Sequence, residues 1–169
     1  MKKSKGISTT ESINNFQAKL ATPFAILGIR TEEDWLIDIE YLPLDTPELT
    51  PQNLLAKQIC DQLLAYLAEP DFVFDLSLHL GGTLYQRRVW EVIQTIPCGK
   101  TFSYAEIATK LNSSPRAVGR ACGANQIPII IPCHRVITKN GGLGGFMNAS
   151  DGHPLVIKRW LLDHEGVCA

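Results

Sequence analysis

The chain has 169 residues, 45% of them hydrophobic and 20% charged, with a formal net charge of −1, a make-up that suits a globular protein with enough length for one domain or two small ones. A balance so near neutrality excludes a globally basic nucleic-acid binder, so any contact with DNA must rest on local charge, and no apolar run has the length of a membrane span or signal segment. Five cysteines, at 60, 98, 122, 133 and 168, show no pair at zinc-ligand spacing, which argues against a disulfide framework and a zinc cage and predicts reduced thiols in the cytoplasm, with no metal and no cofactor.

Residues 1–20, basic at the start and rich in Ser, Thr and Asn, are expected to be a flexible tail. Phe24 to Arg30 and Trp35 to Tyr41 alternate apolar and polar side chains around Glu32, Glu33 and Asp34, a β-hairpin pattern. Pro43 and Pro47 break it. Thr50 and Pro51 then read as cap and first residue of a helix reaching about Ala68, with Leu54, Leu55, Ile59, Leu63 and Leu67 on the stripe that would cover the hairpin. Phe72, Phe74, Leu76, Leu78 and Leu80 alternate as a short strand ended by Gly81 and Gly82. Residues 21–82 thus predict a small α/β domain and linker without visible chemistry, in which His79 is structural or exposed.

From Thr83 the pattern becomes helical, with Leu84, Val89, Trp90 and Ile93 leading to the turn at Pro97, Cys98 and Gly99. Ser103 and Glu106 form a capping-box signature for a helix over Tyr104 to Leu111. Asn112 and Ser113 make a turn, Ser114 can cap the next helix, Pro115 fits its first position, and Arg116 to about Ala124 continue it. Two short helices joined in this way outline a helix-turn-helix. Ile127, Ile129, Ile130 and Ile131 read as a buried strand ended by Pro132, which would put Cys133 at a strand exit beside His134. A thiol there can act as a nucleophile if a base or cation raises its thiolate fraction, the alternative being a small core residue. A glycine-rich loop, Asn140 to Gly145, precedes a last helix over Pro154 to Glu165 closed by Gly166.

The runs TFSYAEIATKL, PRAVGRACGANQIPIIIPCHRVI and KRWLLDHEG, with GTLYQRRVWEVIQTIPCGKT before them, resemble the O6-alkylguanine-DNA alkyltransferases. The resemblance covers the C-terminal half almost continuously and the first half only in outline. It implies an α/β protein with a small ribonuclease H-like N-terminal α/β domain, then a mainly helical domain over residues 83–169 that carries the helix-turn-helix and the alkyl acceptor. It also implies irreversible transfer of an alkyl group from O6-alkylguanine in double-stranded DNA to Cys133, after the base is flipped out through the minor groove.

The chemistry of the residues agrees with that implication. A saturated carbon bound to O6 must be displaced by a soft, strong nucleophile, which a thiolate is. By the resemblance, His134 takes the proton and Glu165 orients the imidazole. Tyr104 would bond the departing guanine, and Asn125 would position the thiol. Arg116 corresponds to the arginine that fills the space of the flipped base, on a helix whose Ser114, Ala117, Gly119, Arg120 and Gly123, with Arg135 beyond it, would face DNA. Phe146 and Met147 would line the alkyl pocket, with no metal bound.

The thioether product has no attackable carbonyl, so each molecule would react once. Arg120 and Gly123 depart from the family pattern as though a phosphate contact had moved by a turn, Phe146 stands where a tyrosine is usual, and Met147 to His153 are an extra stretch that leaves the range of alkyl groups open. Cys60, Cys98, Cys122 and Cys168 read as bystanders, with Cys122 packed within its helix. The expected partner is DNA and no membrane, engaged as a monomer or with copies side by side. Two other readings compete: a non-catalytic alkyltransferase-like DNA binder, and a cysteine hydrolase built on Cys133, His134 and Glu165.

Overall fold

The computed structural model describes residues 15–167. The expected hairpin is present as β2 (Ile26–Glu32) and β3 (Trp35–Leu42), antiparallel with Ile29 opposite Ile39. Residues 1–14 of the expected tail lie outside the described residues. Its end is a strand instead: β1 (Ala18–Ala21) pairs with the free edge of β2, giving the sheet order β1-β2-β3. Sequence gave little warning of β1, because Ala18 to Ala21 are short of the branched and aromatic residues that mark strands.

The helix α1 (Leu54–Ala68) begins later than Thr50 and Pro51 suggested: the side chain of Asn53 accepts from the Ala56 amide at 2.8 Å and caps it. Its buried stripe is Ala56, Ile59, Cys60, Leu63 and Tyr66, and Leu54 is 81% exposed. The small side chains of Ala56 and Cys60 allow the helix to approach the sheet closely, which favours this face over the leucine-rich one. Residues 72–80 keep the predicted alternation of burial. Yet they form no extended ladder: one bridge joins Leu36 and Leu78, and the side chain of Gln62 takes both backbone groups of Asp75.

Four helices make up most of the remainder: α2 (Leu84–Gln94), α3 (Tyr104–Lys110), α4 (Pro115–Gly123) and α5 (His153–His164). Both capping boxes, Thr83 with Gln86 and Ser103 with Glu106, are formed. Ser114 caps α4, with Pro115 in its first turn. Asn112, at φ 51°, makes the tight turn between α3 and α4. A two-residue parallel pairing joins β4 (Phe102–Ser103) to β5 (Val136–Ile137). Trp90 lies at the centre of the helical packing, fully buried, and donates to the Ala121 carbonyl at 2.9 Å.

The run from Ile127 to Ile131 is buried as predicted but is not a strand. Ile131 N–H bonds back to the Ile127 carbonyl at 3.0 Å and Ile129 takes φ 73°, so the segment is a tight turn inside the core. Positive φ is costly for a β-branched residue, and the surrounding packing enforces it. Cys133 therefore starts a single 3-10 turn, Cys133–Arg135, rather than leaving a strand. Among the described residues no helix is long and apolar enough to cross a membrane, and no group of three or more His, Cys, Asp or Glu side chains is placed to hold a metal ion.

Candidate active site

Cys133 is 4% exposed and lines a cleft of about 1060 Å³ whose walls include Tyr104, Arg116, Gly119, Arg120 and Phe146. The turn from α4 into the buried isoleucine run sets the position of its sulfur. Asn125, two residues past the end of α4 and itself buried, accepts from the Ile127 amide at 2.9 Å and donates to the Ile131 carbonyl at 2.9 Å and to Cys133 Sγ at 3.2 Å. The neighbouring Cys122 thiol and burial push the Cys133 thiol well above its ordinary range, opposed by Asn125 and by the charge of Lys158. At rest the group is a neutral thiol. A proton acceptor must take its hydrogen when it reacts.

His134 is fully buried, and its Nε2 lies 2.7 Å from Glu165 Oε1. A carboxylate can only accept, so Nε2 carries the hydrogen and Nδ1 is left with a bare lone pair. That Nδ1 is buried and has no hydrogen-bond partner among the described residues. Burial lowers the imidazole below its usual range, outweighing the pull of Glu165, so the ring is neutral and able to take a proton.

Glu165 is held by four hydrogen bonds from three side chains. His134 bonds one oxygen, Tyr66 from α1 donates to the same oxygen at 2.8 Å, and the Arg135 guanidinium reaches both, Nε to Oε2 and NH2 to Oε1, each at 2.9 Å. Burial would raise this carboxyl, but the bonds from His134 and Arg135 prevail and hold it at about 2.

Tyr104, half-buried, donates to the Gly145 carbonyl at 3.2 Å, and burial raises its phenol. Lys158 lies beneath it, fully buried, with its ammonium on the carbonyls of Val136 (2.7 Å), Leu143 (2.6 Å) and Gly145 (3.0 Å). Burial lowers Lys158 to about 8. This cation ties the glycine-rich loop to the strand that follows the cysteine turn.

Of the residues expected to face DNA, Arg116, Gly119, Arg120 and Gly123 line the cleft along α4, and both arginines are exposed. Ser114 is used as the helix cap, and Ala117 is half-buried outside the cleft lining. Gly119 has only the Tyr104 ring near a would-be Cβ, at 3.9 Å, so no neighbour among the described residues requires a glycine there. Gly123 differs: a Cβ would meet the Asn148 side chain at 1.9 Å. Arg135, grouped with the DNA contacts by sequence, points inward; it is 13% exposed and also donates to the Ile96 carbonyl at 2.7 Å. Phe146, buried, and Met147 both line the cleft. Cys122 is packed on its helix as expected, and it also lines the cleft next to Cys133.

Residues 84–167 match the family model described as 6-O-methylguanine DNA methyltransferase, DNA binding domain. A methylated-DNA–protein-cysteine methyltransferase of Salmonella typhimurium is 43% identical, over 89% of this chain and 95% of the relative. The chain belongs to the methylated-DNA–protein-cysteine methyltransferase family. A constitutive member from Bacillus subtilis is 39% identical, over 81% of this chain and 80% of its own length. Among solved structures, that of Mycobacterium tuberculosis OGT in complex with DNA superposes with a TM-score of 0.74 at 38% identity, covering 87% of this chain and 90% of that one.

Against this family background, three side chains that surround the chemistry, Lys158, Tyr66 and Asn148, were not singled out from the sequence, and a fourth, Arg135, was assigned to another surface. Lys158 had a usable signal, since it falls on the same helix stripe as Ile157, Leu161 and Leu162, where a cation must be buried. Arg135 was noticed but given to the wrong surface, its partner being thirty residues away. Tyr66 and Asn148 had no signal, because their partners lie on distant elements.

Proposed function

We propose that this family member repairs O6-alkylguanine in double-stranded DNA by moving the alkyl group to Cys133 Sγ, once per molecule. The observation that carries the reading is a positioned thiol followed directly in the chain by a histidine with a buried, bare ring nitrogen: Asn125 bonds Cys133 Sγ, and Glu165 bonds the opposite nitrogen of His134. The sulfur attacks the alkyl carbon as the carbon–O6 bond breaks. The thiol proton passes to His134 Nδ1, directly or through one water, and Glu165 stabilises the imidazolium that forms. The electron pair of the broken bond leaves with guanine, which Tyr104 assists through a hydrogen bond to a ring nitrogen before the base regains a proton. A thioether on Cys133 offers no carbonyl to water and a poor leaving group, which makes the reaction stoichiometric.

Helices α3 and α4 act in this reading as a helix-turn-helix that enters the minor groove, whose degenerate hydrogen-bond pattern suits a protein that must act in any sequence. Arg116 fills the space left by the flipped base, and Arg120 contacts phosphate. The ribonuclease H-like unit through residue 82 supports the alkyl-acceptor unit from residue 83 onward. The protein works as a monomer, without metal, where the cell's DNA lies. Incubation with a duplex carrying O6-methylguanine should leave one permanent methyl on the Cys133 peptide per lesion repaired, read by mass spectrometry. Repair by Cys133→Ser, or repeated turnover by the intact protein, would overturn the proposal. A hydrolase on the same residues would leave no such mark.

A further inference from the structure

Residues Phe146 to Ala149 form a two-residue turn closed by reciprocal backbone bonds, Phe146 N–H to the Ala149 carbonyl at 2.8 Å and Ala149 N–H to the Phe146 carbonyl at 2.9 Å. Both central residues are left-handed, Met147 at φ 51° and Asn148 at φ 61°. Asparagine tolerates that conformation and methionine does so at a cost, so the turn must be held from outside. Two contacts hold it. Phe146 is buried with its ring 6.1 Å from that of Tyr41 and 5.9 Å from the Lys158 ammonium. Asn148 Nδ2 donates to the Gly123 carbonyl at 3.1 Å, one of the last carbonyls of α4, which have no acceptor role left within the helix.

The second contact spans the cleft. Cys133, Gly123 and the whole turn line the same cavity, so α4 forms one wall, the turn forms another, and the Asn148 amide joins them. A side chain at 123 and the Asn148 side chain cannot share the space, since a Cβ would lie 1.9 Å from Asn148 Oδ1. We propose that Asn148, seated on Gly123, is a specificity-determining residue that fixes the spacing of the two walls for small alkyl groups and disfavours bulky ones. The inference rests on alkyl transfer to Cys133.

The test compares second-order rates of alkylation for one duplex sequence carrying O6-methylguanine or O6-benzylguanine. The ratio of the two cancels changes in DNA affinity. Asn148→Gly keeps the left-handed backbone and removes the amide; Asn148→Asp keeps size and turn preference but cannot donate. Gly123→Ala displaces the Asn148 side chain from the other direction. Each should shift the benzyl-to-methyl rate ratio upward by about two- to tenfold, the net worth of one hydrogen bond, and Gly123→Ala combined with Asn148→Gly should shift it no further. A ratio unchanged in Asn148→Gly and Asn148→Asp, or effects that add in the double variant, would overturn the assignment. Wild-type protein that alkylates Cys133 from neither duplex would instead defeat the alkyl-transfer reading beneath it.

Discussion

Replacing Arg135 by leucine separates an interior role from a DNA-facing one. Its guanidinium makes three hydrogen bonds, two to the Glu165 carboxylate and one to the Ile96 carbonyl, from a side chain only 13% exposed. Removing one partner of a buried ion pair leaves the other charge uncompensated, at a cost of about 3–5 kcal/mol. With a urea m-value of roughly 2 kcal/mol/M, the denaturation midpoint should fall by roughly 2 M. Arg135→Lys should recover part of that loss, because an ammonium cannot span both carboxylate oxygens.

The same two proteins can be titrated with undamaged duplex at increasing salt, under conditions where they remain folded. Arg135 neutralises no phosphate in this arrangement, so the slope of log affinity against log salt should match the wild type. Arg120→Glu, on the exposed face of α4, should flatten that slope by about one counterion. A variant at Arg135 with an unchanged urea midpoint and a slope reduced by about one would refute the inward role.

Three further outcomes follow from the site. The Glu165 carboxyl is lowered from 4.5 to about 2 in the folded protein, so its contribution, about 3 kcal/mol, is complete above pH 4.5 and is lost as pH falls from there towards 2; urea midpoints across that range should show it, and Glu165→Gln should make the dependence shallower by that share. Asn125→Ala removes the donor to Cys133 Sγ and should slow alkylation by about tenfold or more, roughly 1.4 kcal/mol of barrier, in a stopped single-turnover assay. Lys158 is lowered from 10.5 to about 8 when folded, so the unfolded chain binds more protons between those values and stability should rise with pH there; Lys158→Met should lose that rise and be less stable at pH 7, since the Val136 and Leu143 carbonyls lose the ammonium donor while Gly145 keeps Tyr104.

What could be read from sequence was what neighbouring residues decide among themselves. Ser103 with Glu106, Ser114 with Pro115, and the hairpin alternation each encode their geometry within a few positions, and each appears in the structure as expected. The apolar run at Ile127 to Ile131 misled because burial and strand conformation share one pattern; only the packing around Ile129 selects the positive φ that turns the chain. Asn53 took the cap from Thr50 because both are good caps and the tertiary fit of α1 chose between them. The trio of Cys133, His134 and Glu165 came through the motif resemblance, while the side chains that support them, Tyr66 and Lys158, are meaningful only once distant segments are brought together.

The hydroxyl of Tyr66 belongs to a helix of the first half, yet it bonds the carboxylate that steadies His134, the residue that directly follows Cys133 in the chain. Cooperative melting and chemical competence are thereby linked through a single oxygen: heat that detaches α1 from the sheet also withdraws a donor from Glu165. Activity and amino-terminal order should therefore vanish at one temperature, with no intermediate that has lost the first and kept the second.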